Sequence, residues 1–155
     1  MQKTRLKLFK KELTSRGRLQ FQRPRKLVWE YLQPDPSKLV LNQDRATLSS
    51  PGAAPQVFDL QRDGTLRAIF DQLLGWLSGP SNLDRDYVVA VHANALDLVP
   101  KSDSPAARAF QKISLRFDKA MLLQSITLTE TNGDEKEITL LHLERNVPVE
   151  ESAFR

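Results

Sequence analysis

Serines and acidic side chains are plentiful in this chain, but none of them is arranged as a nucleophile beside a base. The two histidines, His92 and His142, lie far apart in the sequence, and cysteine is absent, so a metal site lacks its usual ligands. No glycine-rich phosphate loop, Gly-x-Ser-x-Gly turn or His-Glu-x-x-His helix occurs. The acidic pair Asp134-Glu135 fits a turn. We therefore predict that the protein is not an enzyme and uses no metal and no cofactor.

Positive charge is concentrated at the start of the chain, where residues 1–26 contain ten Lys or Arg and one acid. A basic arm can bind nucleic acid or anionic lipid headgroups. The run Arg18-Leu19-Gln20-Phe21 instead alternates polar with apolar side chains, as a half-buried strand does, so the charges would face solvent. A nucleic-acid-binding sheet face stays open as the alternative, with Phe21 and Trp29 stacking bases beside Arg23.

The elements that would position any site are mostly strands, because apolar and polar residues alternate along most of the chain. Pro24 and Pro34 interrupt the alternation, and Asn132-Gly133 is the strongest hairpin turn. No stretch reaches the roughly 18 consecutive apolar residues of a membrane-spanning helix. The alternation predicts strands at 17–23, 27–32, 39–41, 46–48, 57–60, 87–92, 95–99, 113–117, 125–129 and 137–140, with Leu141 and Leu143 continuing the last one.

One amphipathic helix interrupts the strands. Between Thr65 and Ser78 the apolar residues recur at the spacing of a single helical face, with Trp76 off the centre of that stripe. Asp63 or Thr65 can cap the start, and Gly79-Pro80 ends the helix. The pattern predicts a mostly β, α+β protein whose residues 1–155 form a single domain.

The run from Arg23-Pro24 through Trp29 to Pro34 resembles the outer-membrane lipoprotein carrier (LolA) family. In that family a strand ending in Arg-Pro leads into a strand with a central Trp, and a proline turn follows. The segment Leu98-Val99-Pro100-Lys101 and the hairpin at Asn132-Gly133 also resemble the family and occur in its order. The likeness extends over most of residues 14–154, whereas residues 42–63 fit the family pattern poorly.

The resemblance implies an unclosed antiparallel β-barrel, or half-barrel, with an α-helical lid at about residues 65–78. It also implies that the arginine of the Arg-Pro pair hydrogen-bonds the closed lid. The residues expected to line the apolar cavity are Leu19, Phe21, Leu27, Trp29, Tyr31, Leu39, Ile113, Leu115, Phe117, Ile126 and Leu128. The lid is expected to comprise Arg23, Leu66, Ile69, Phe70, Leu73, Leu74 and Leu77.

The function that the resemblance implies is a periplasmic carrier that shields the acyl chains of lipoproteins and delivers them toward the outer membrane. The implied partners are acyl chains of lipoproteins or lipids, an inner-membrane transporter that exports lipoproteins, and an outer-membrane acceptor. We expect a monomer that does not bind nucleic acid. We also expect the signal peptide, the family's first lid helix and its C-terminal extension to be absent from this chain. A lipoprotein sensor or a glycolipid carrier of the same fold stays open as an alternative.

Overall fold

The computed structural model describes residues 1–6, 11–78, 82–144 and 146–155, and the side chains of all of these except 5, 6, 11, 12 and 65. Eleven β-strands and one α-helix lie within these ranges. The strands are β1 (Gln2–Leu6), β2 (Lys11–Gln22), β3 (Lys26–Gln33), β4 (Ser37–Asn42), β5 (Arg45–Ser49), β6 (Gln56–Asp59), β7 (Tyr87–Val91), β8 (Ala95–Pro100), β9 (Phe110–Phe117), β10 (Leu123–Glu130) and β11 (Glu135–Thr139). The helix, α1, is Gly64–Ser78 and lies between β6 and β7 in the sequence.

The strands follow one another in the order β6-β5-β4-β3-β2-β1-β11-β10-β9-β8-β7. The pairs whose register is assigned are all antiparallel. Strands β6 and β7 stand at the two ends of this order, so the sheet of the described residues is unclosed. The predicted fold class, a mostly β protein with an unclosed antiparallel sheet and one helix, is confirmed.

The contacts of the chain separate into two compact units. The first unit contains Met1–Thr14 and Pro80–Leu143, and the second contains Ser15–Gly79 and Glu144–Arg155. Strands β1 and β7 to β11 belong to the first unit, whereas β3 to β6 and α1 belong to the second. Most of β2 also lies in the second unit.

The second unit is a meander of antiparallel strands with one strongly apolar face. The register places Phe21, Leu27, Leu41 and Ala46 in one row across β2 to β5. Side chains alternate between the two faces of a strand, so these four residues lie on the same face. Leu27, Leu41 and Ala46 are fully buried.

The opposite face of the second unit is covered by the end of the chain. Val28 and Val40 are paired across β3 and β4, and both pack against Phe154, which is 2% exposed. Asn42 Nδ2 donates to the Phe154 carbonyl oxygen at 3.3 Å. Lys26 Nζ lies 2.6 Å from a Glu151 carboxylate oxygen and 5.6 Å from the centre of the Phe154 ring. Strands β3 and β4 are therefore packed on both faces.

In the first unit, the predicted hairpin at Asn132-Gly133 is confirmed between β10 and β11. Gly133 adopts a φ of 87°, which suits glycine because it has no Cβ. The Asp134 amide donates to Asn132 Oδ1 at 2.9 Å and the Gly133 amide donates to the Glu130 carbonyl oxygen at 2.9 Å, so the turn's polar groups are paired.

The prediction that Leu141 and Leu143 continue the last strand is wrong. Strand β11 ends at Thr139, and both leucines are exposed. His142, between them, adopts a φ of 54°, a left-handed conformation that is incompatible with a regular strand. The alternation of leucines in the sequence did not reveal this change of backbone conformation.

A polar cluster surrounds Asp97 on the first unit. Its carboxylate accepts a hydrogen bond from Ser114 Oγ at 2.6 Å and lies 2.8 Å from Lys112 Nζ and 3.4 Å from His92 Nε2. The hydrogen bond from Lys112, followed by that from Ser114, lowers the pKa of Asp97 from 3.8 to about 2. His92, one of the two histidines considered for metal binding, is thus the neighbour of a paired carboxylate.

Gly17 offers a test of the packing between β2 and β3. A Cβ atom at this position would lie 2.0 Å from the Glu30 carbonyl oxygen, so the two strands would have to separate. We expect Gly17→Ala to lower the free energy of unfolding by about 1–3 kcal/mol, measured by urea denaturation. The control is Gly75→Ala in α1, where a Cβ would meet nothing within 4 Å. Because alanine favours helix, that variant should gain up to ~1 kcal/mol, and equal effects at the two glycines would contradict the packing.

The Asp97 cluster predicts a pH-dependent contribution to stability. Because the folded-state pKa lies below the unfolded value of 3.8, the stabilisation is present above that value and is lost as the pH falls towards about 2. We expect Asp97→Asn to lower the free energy of unfolding by about 1 kcal/mol at neutral pH and by much less near about pH 2. Urea denaturation across this pH range measures the difference. The exposed Asp103→Asn serves as the control, and a pH-independent effect of Asp97→Asn would rule out the cluster as its cause.

Candidate lid and apolar binding face

Helix α1 begins at the residue after Asp63, which caps it. The Leu66 amide donates to Asp63 Oδ1 at 2.9 Å, and the Arg67 amide donates to the Asp63 carbonyl oxygen at 3.0 Å. The first bond satisfies one of the donors that a helix leaves unpaired at its start, and the second is the first backbone bond of the helix itself. Of the two capping candidates in the sequence, Asp63 therefore makes the cap.

The apolar stripe of α1 packs directly on the apolar face of the second unit. Phe70 and Leu74 are buried in one cluster with Leu27, Leu41 and Ala46. Most of the predicted lid residues meet most of the predicted lining residues of β2 to β4 there, whereas Trp29 and Tyr31 are not part of this cluster. The half-buried residues packed against this cluster are Leu19, Phe21, Leu39, Phe58, Leu66, Leu73 and Leu77.

Two helix residues differ from the pattern expected of the stripe. Ile69, which we assigned to the lid, is 47% exposed, whereas Trp76, which we placed off the centre of the stripe, is only 6% exposed. Residues seven apart lie on nearly the same side of a helix, so Ile69 and Trp76 lie on one flank of α1. That flank is buried at Trp76, near the end of the helix, and open to solvent at Ile69, closer to its middle.

Arg23 makes a hydrogen bond to the last residue of α1. It lies in the turn between β2 and β3, beside the cis Arg23–Pro24 peptide bond, and its Nη2 donates to the Ser78 carbonyl oxygen at 2.7 Å. The last carbonyl groups of a helix have no partner within the helix, and a cation near them is favourable. Arg23 therefore connects the β2–β3 turn to the end of the helix.

Trp29 and Tyr31 continue the apolar face along β3. Both follow Leu27 at intervals of two residues, and their rings are stacked with centres 5.7 Å apart. Both side chains are half-buried, and burial raises the pKa of Tyr31. The two rings form an aromatic platform on the face that also contains Leu27.

The remaining predicted lining residues belong to the first unit, where they share one face of β9 and β10. The register pairs Leu115 with Ile126 and Ile113 with Leu128. Ile113, Leu115, Phe117 and Ile126 are buried, and Leu128 is half-buried. These five residues form the apolar side of that hairpin.

Sequence reasoning missed several members of the cluster beneath α1. Leu41, Ala46 and Leu60 are all fully buried there, yet none was among the predicted lining residues. Leu41 shares the parity of Leu39, so alternation could have identified it. Leu60 follows the last residue of β6, and its burial depends on contacts that no local pattern specifies.

Two of the three residues considered for the alternative nucleic-acid-binding face, Phe21 and Arg23, contact other groups of the second unit. Phe21 packs against the cluster beneath α1, and Arg23 is bonded to the end of that helix. Arg16 and Arg18 are exposed, as expected of the solvent-facing positions of a strand. Trp29, the third residue considered for that face, is half-buried and stacked on Tyr31.

None of the helices within the described ranges is both long enough and apolar enough to cross a membrane.

Two curated relatives are both named outer-membrane lipoprotein carrier protein. The chain is 28% identical to the protein of Cupriavidus taiwanensis over 152 residues and 25% identical to that of Ralstonia nicotianae over 149 residues. Each comparison covers 92% of this chain but only 66% and 65% of the relatives, so the chain spans just under two thirds of their length. The family described as outer membrane lipoprotein carrier protein LolA matches residues 1–155. Because this match extends over the whole chain, the chain belongs to the LolA family.

Proposed function

We propose that this protein is a periplasmic carrier that shields the acyl chains of lipoproteins on its apolar face and delivers them toward the outer membrane. The observation that supports this most strongly is the packing of the α1 stripe on the apolar face of β2 to β5. Membership in the LolA family and the names of the two relatives agree with it. Lipoproteins would come from an inner-membrane transporter that exports them and pass to an acceptor in the outer membrane.

The energies of lid closure and cargo binding are of the same size, which a reversible carrier requires. Burying one Leu or Phe side chain contributes about 1.5–3 kcal/mol, so the five packed side chains of α1 contribute on the order of 10 kcal/mol. A buried methylene contributes about 0.8 kcal/mol, so one sixteen-carbon chain contributes a similar amount before the costs of association. Acyl chain and helix would therefore exchange on the same face without nucleotide or metal.

Arg23 would oppose cargo entry in this mechanism. Its hydrogen bond to the Ser78 carbonyl oxygen exists only while the end of α1 lies next to the β2–β3 turn. A hydrogen bond to a charged group contributes about 1.5–3 kcal/mol. Breaking this bond would be part of the cost of binding, and forming it again would help to expel the acyl chain at the acceptor.

Binding of an acyl chain should move α1 and expose Trp76. We expect palmitate, added to a Trp29→Phe variant, to increase the quenching of Trp76 by acrylamide in a saturable manner. A synthetic triacylated lipopeptide should also form a complex with the protein that survives size-exclusion chromatography. Failure of both ligands to bind would contradict the proposed function.

Loss of the Arg23 side chain should strengthen retention of cargo. We expect Arg23→Leu to fold normally and to bind palmitate about tenfold more tightly, because the closed lid loses a charged hydrogen bond. Release of the lipopeptide to acceptor vesicles should slow correspondingly. Arg18→Leu is the matched control, since Arg18 is an exposed arginine of β2 that precedes the turn. If the two variants bind palmitate equally, Arg23 has no part in the mechanism.

A further inference from the structure

A second arginine of the β2–β3 turn also reaches α1. Arg25 Nη1 donates to Asp71 Oδ1 in the middle of the helix. Arg23 and Arg25 are separated only by Pro24, yet they contact the helix at its end and at its centre respectively. The turn therefore holds α1 at two points, and the second point is an ion pair between side chains.

Arg25 also contacts groups that do not belong to the helix. Its Nε donates to the Gln43 carbonyl oxygen at 3.3 Å, and its own carbonyl oxygen accepts from the Gln43 amide at 2.9 Å. Its Nη2 lies 3.5 Å from Asp44 Oδ1. Asp44 is fixed in turn, because its Oδ2 accepts from Gln61 Nε2 at 3.2 Å and its carbonyl oxygen accepts from the Leu60 amide at 2.8 Å.

The guanidinium has an unused donor that faces this second carboxylate. Nη2 of Arg25 is buried and makes no hydrogen bond with the groups that the structure describes, although Asp44 is within ion-pair distance. If Asp71 moved away, Nη2 could approach Asp44 and the positive charge would remain paired. A buried charge left without a partner is costly, and Asp44 removes that cost from the open state.

Asp71 also keeps a partner when the helix leaves. Arg67 lies one turn earlier on α1, with its Nε 3.8 Å from Asp71 Oδ2. The Arg25–Asp71 bond can therefore break without leaving either charge isolated. Asp71 is 44% exposed and Arg25 is 23% exposed, so dissolved salt can screen the pair.

We propose that Arg25 and Asp71 form a second latch of the lid, in which Asp44 is the partner that receives Arg25 when α1 moves away. This inference rests on the proposed function, because it assumes that α1 leaves the apolar face when cargo binds. Arg25 acts as a positioning residue that biases the lid toward its closed position. The latch makes the affinity for acyl chains depend on ionic strength, and this dependence should weaken when Arg25 or Asp71 is replaced.

The first test measures palmitate binding to single and double variants. At low salt, Asp71→Asn and Arg25→Gln should each tighten binding about fivefold, and the double variant should bind no more tightly than either single variant. Raising the sodium chloride concentration from about 20 to 500 mM should tighten palmitate binding to the wild type until its affinity approaches that of the variants. The palmitate affinity of the variants should change little. Additive effects of the two substitutions would overturn the latch.

Two controls separate the latch from other effects of charge. Asp35→Asn removes a carboxylate from the proline turn between β3 and β4, and it should bind palmitate like the wild type at every salt concentration. Arg67→Gln removes only the neighbour of Asp71 within α1. Raising the salt concentration should still tighten palmitate binding to this variant. Loss of the salt response in either control would contradict the assignment to Arg25 and Asp71.

Hydrogen exchange tests the latch without any ligand, so its outcome is independent of the proposed function. In Asp71→Asn the amides of α1 should exchange about fivefold faster at low salt, while the amides of β3 and β4 should be unchanged. If the α1 amides of Asp71→Asn are as well protected from exchange as those of the wild type, the latch is overturned even if palmitate binds. Faster exchange without palmitate binding would keep the latch and contradict the carrier.

Discussion

The structure of the second unit depends on the contact between the α1 stripe and the apolar face of β2 to β5. Leu27, Leu41 and Ala46 are fully buried in this contact, together with Phe70 and Leu74 of the helix. An apolar face of this size is unfavourable in water, so an open position of the helix is strongly populated only when other apolar matter covers the face. A hydrocarbon chain satisfies that requirement, and it needs no particular side-chain chemistry to do so.

The proposed reversible movement of α1 also requires that the strands stay folded when the helix moves. Val28 and Val40 point to the face opposite the lid, where Phe154 covers them. Lys26 and Asn42 fix this end of the chain through Glu151 and the Phe154 carbonyl oxygen. Strands β3 and β4 would therefore keep one packed face if α1 moved away, so the proposed movement of the helix would not require the strands to unfold.

Periodicity in the sequence predicted β2 to β11, the helix and most of the stripe, because each of these depends on residues that are close in sequence. The same information failed where the structure is determined by the backbone conformation of one residue or by a contact between residues distant in sequence. The left-handed His142 ended β11 earlier than the alternation of leucines indicated. Trp76 is buried and Ile69 exposed although the stripe suggested the reverse.

The candidate site was predictable to a similar extent. The Arg-Pro resemblance pointed to Arg23 at the end of α1, and the structure places its guanidinium against the Ser78 carbonyl oxygen. Its role in a lid remains a proposal. Arg25 could not be found in this way, because its partners Asp71 and Asp44 lie in separate segments of the chain. Only the fold brings the three charges together.

The central claim is that helix and acyl chain occupy the same apolar face in turn. Nuclear Overhauser contacts of the methyl groups of Leu27 and Leu41 test this most directly, since both lie beneath α1. With palmitate bound, we predict contacts from these methyl groups to the acyl methylenes and the loss of their contacts to Phe70 and Leu74. Acyl contacts elsewhere on the protein, with the contacts to Phe70 and Leu74 intact, would contradict the account.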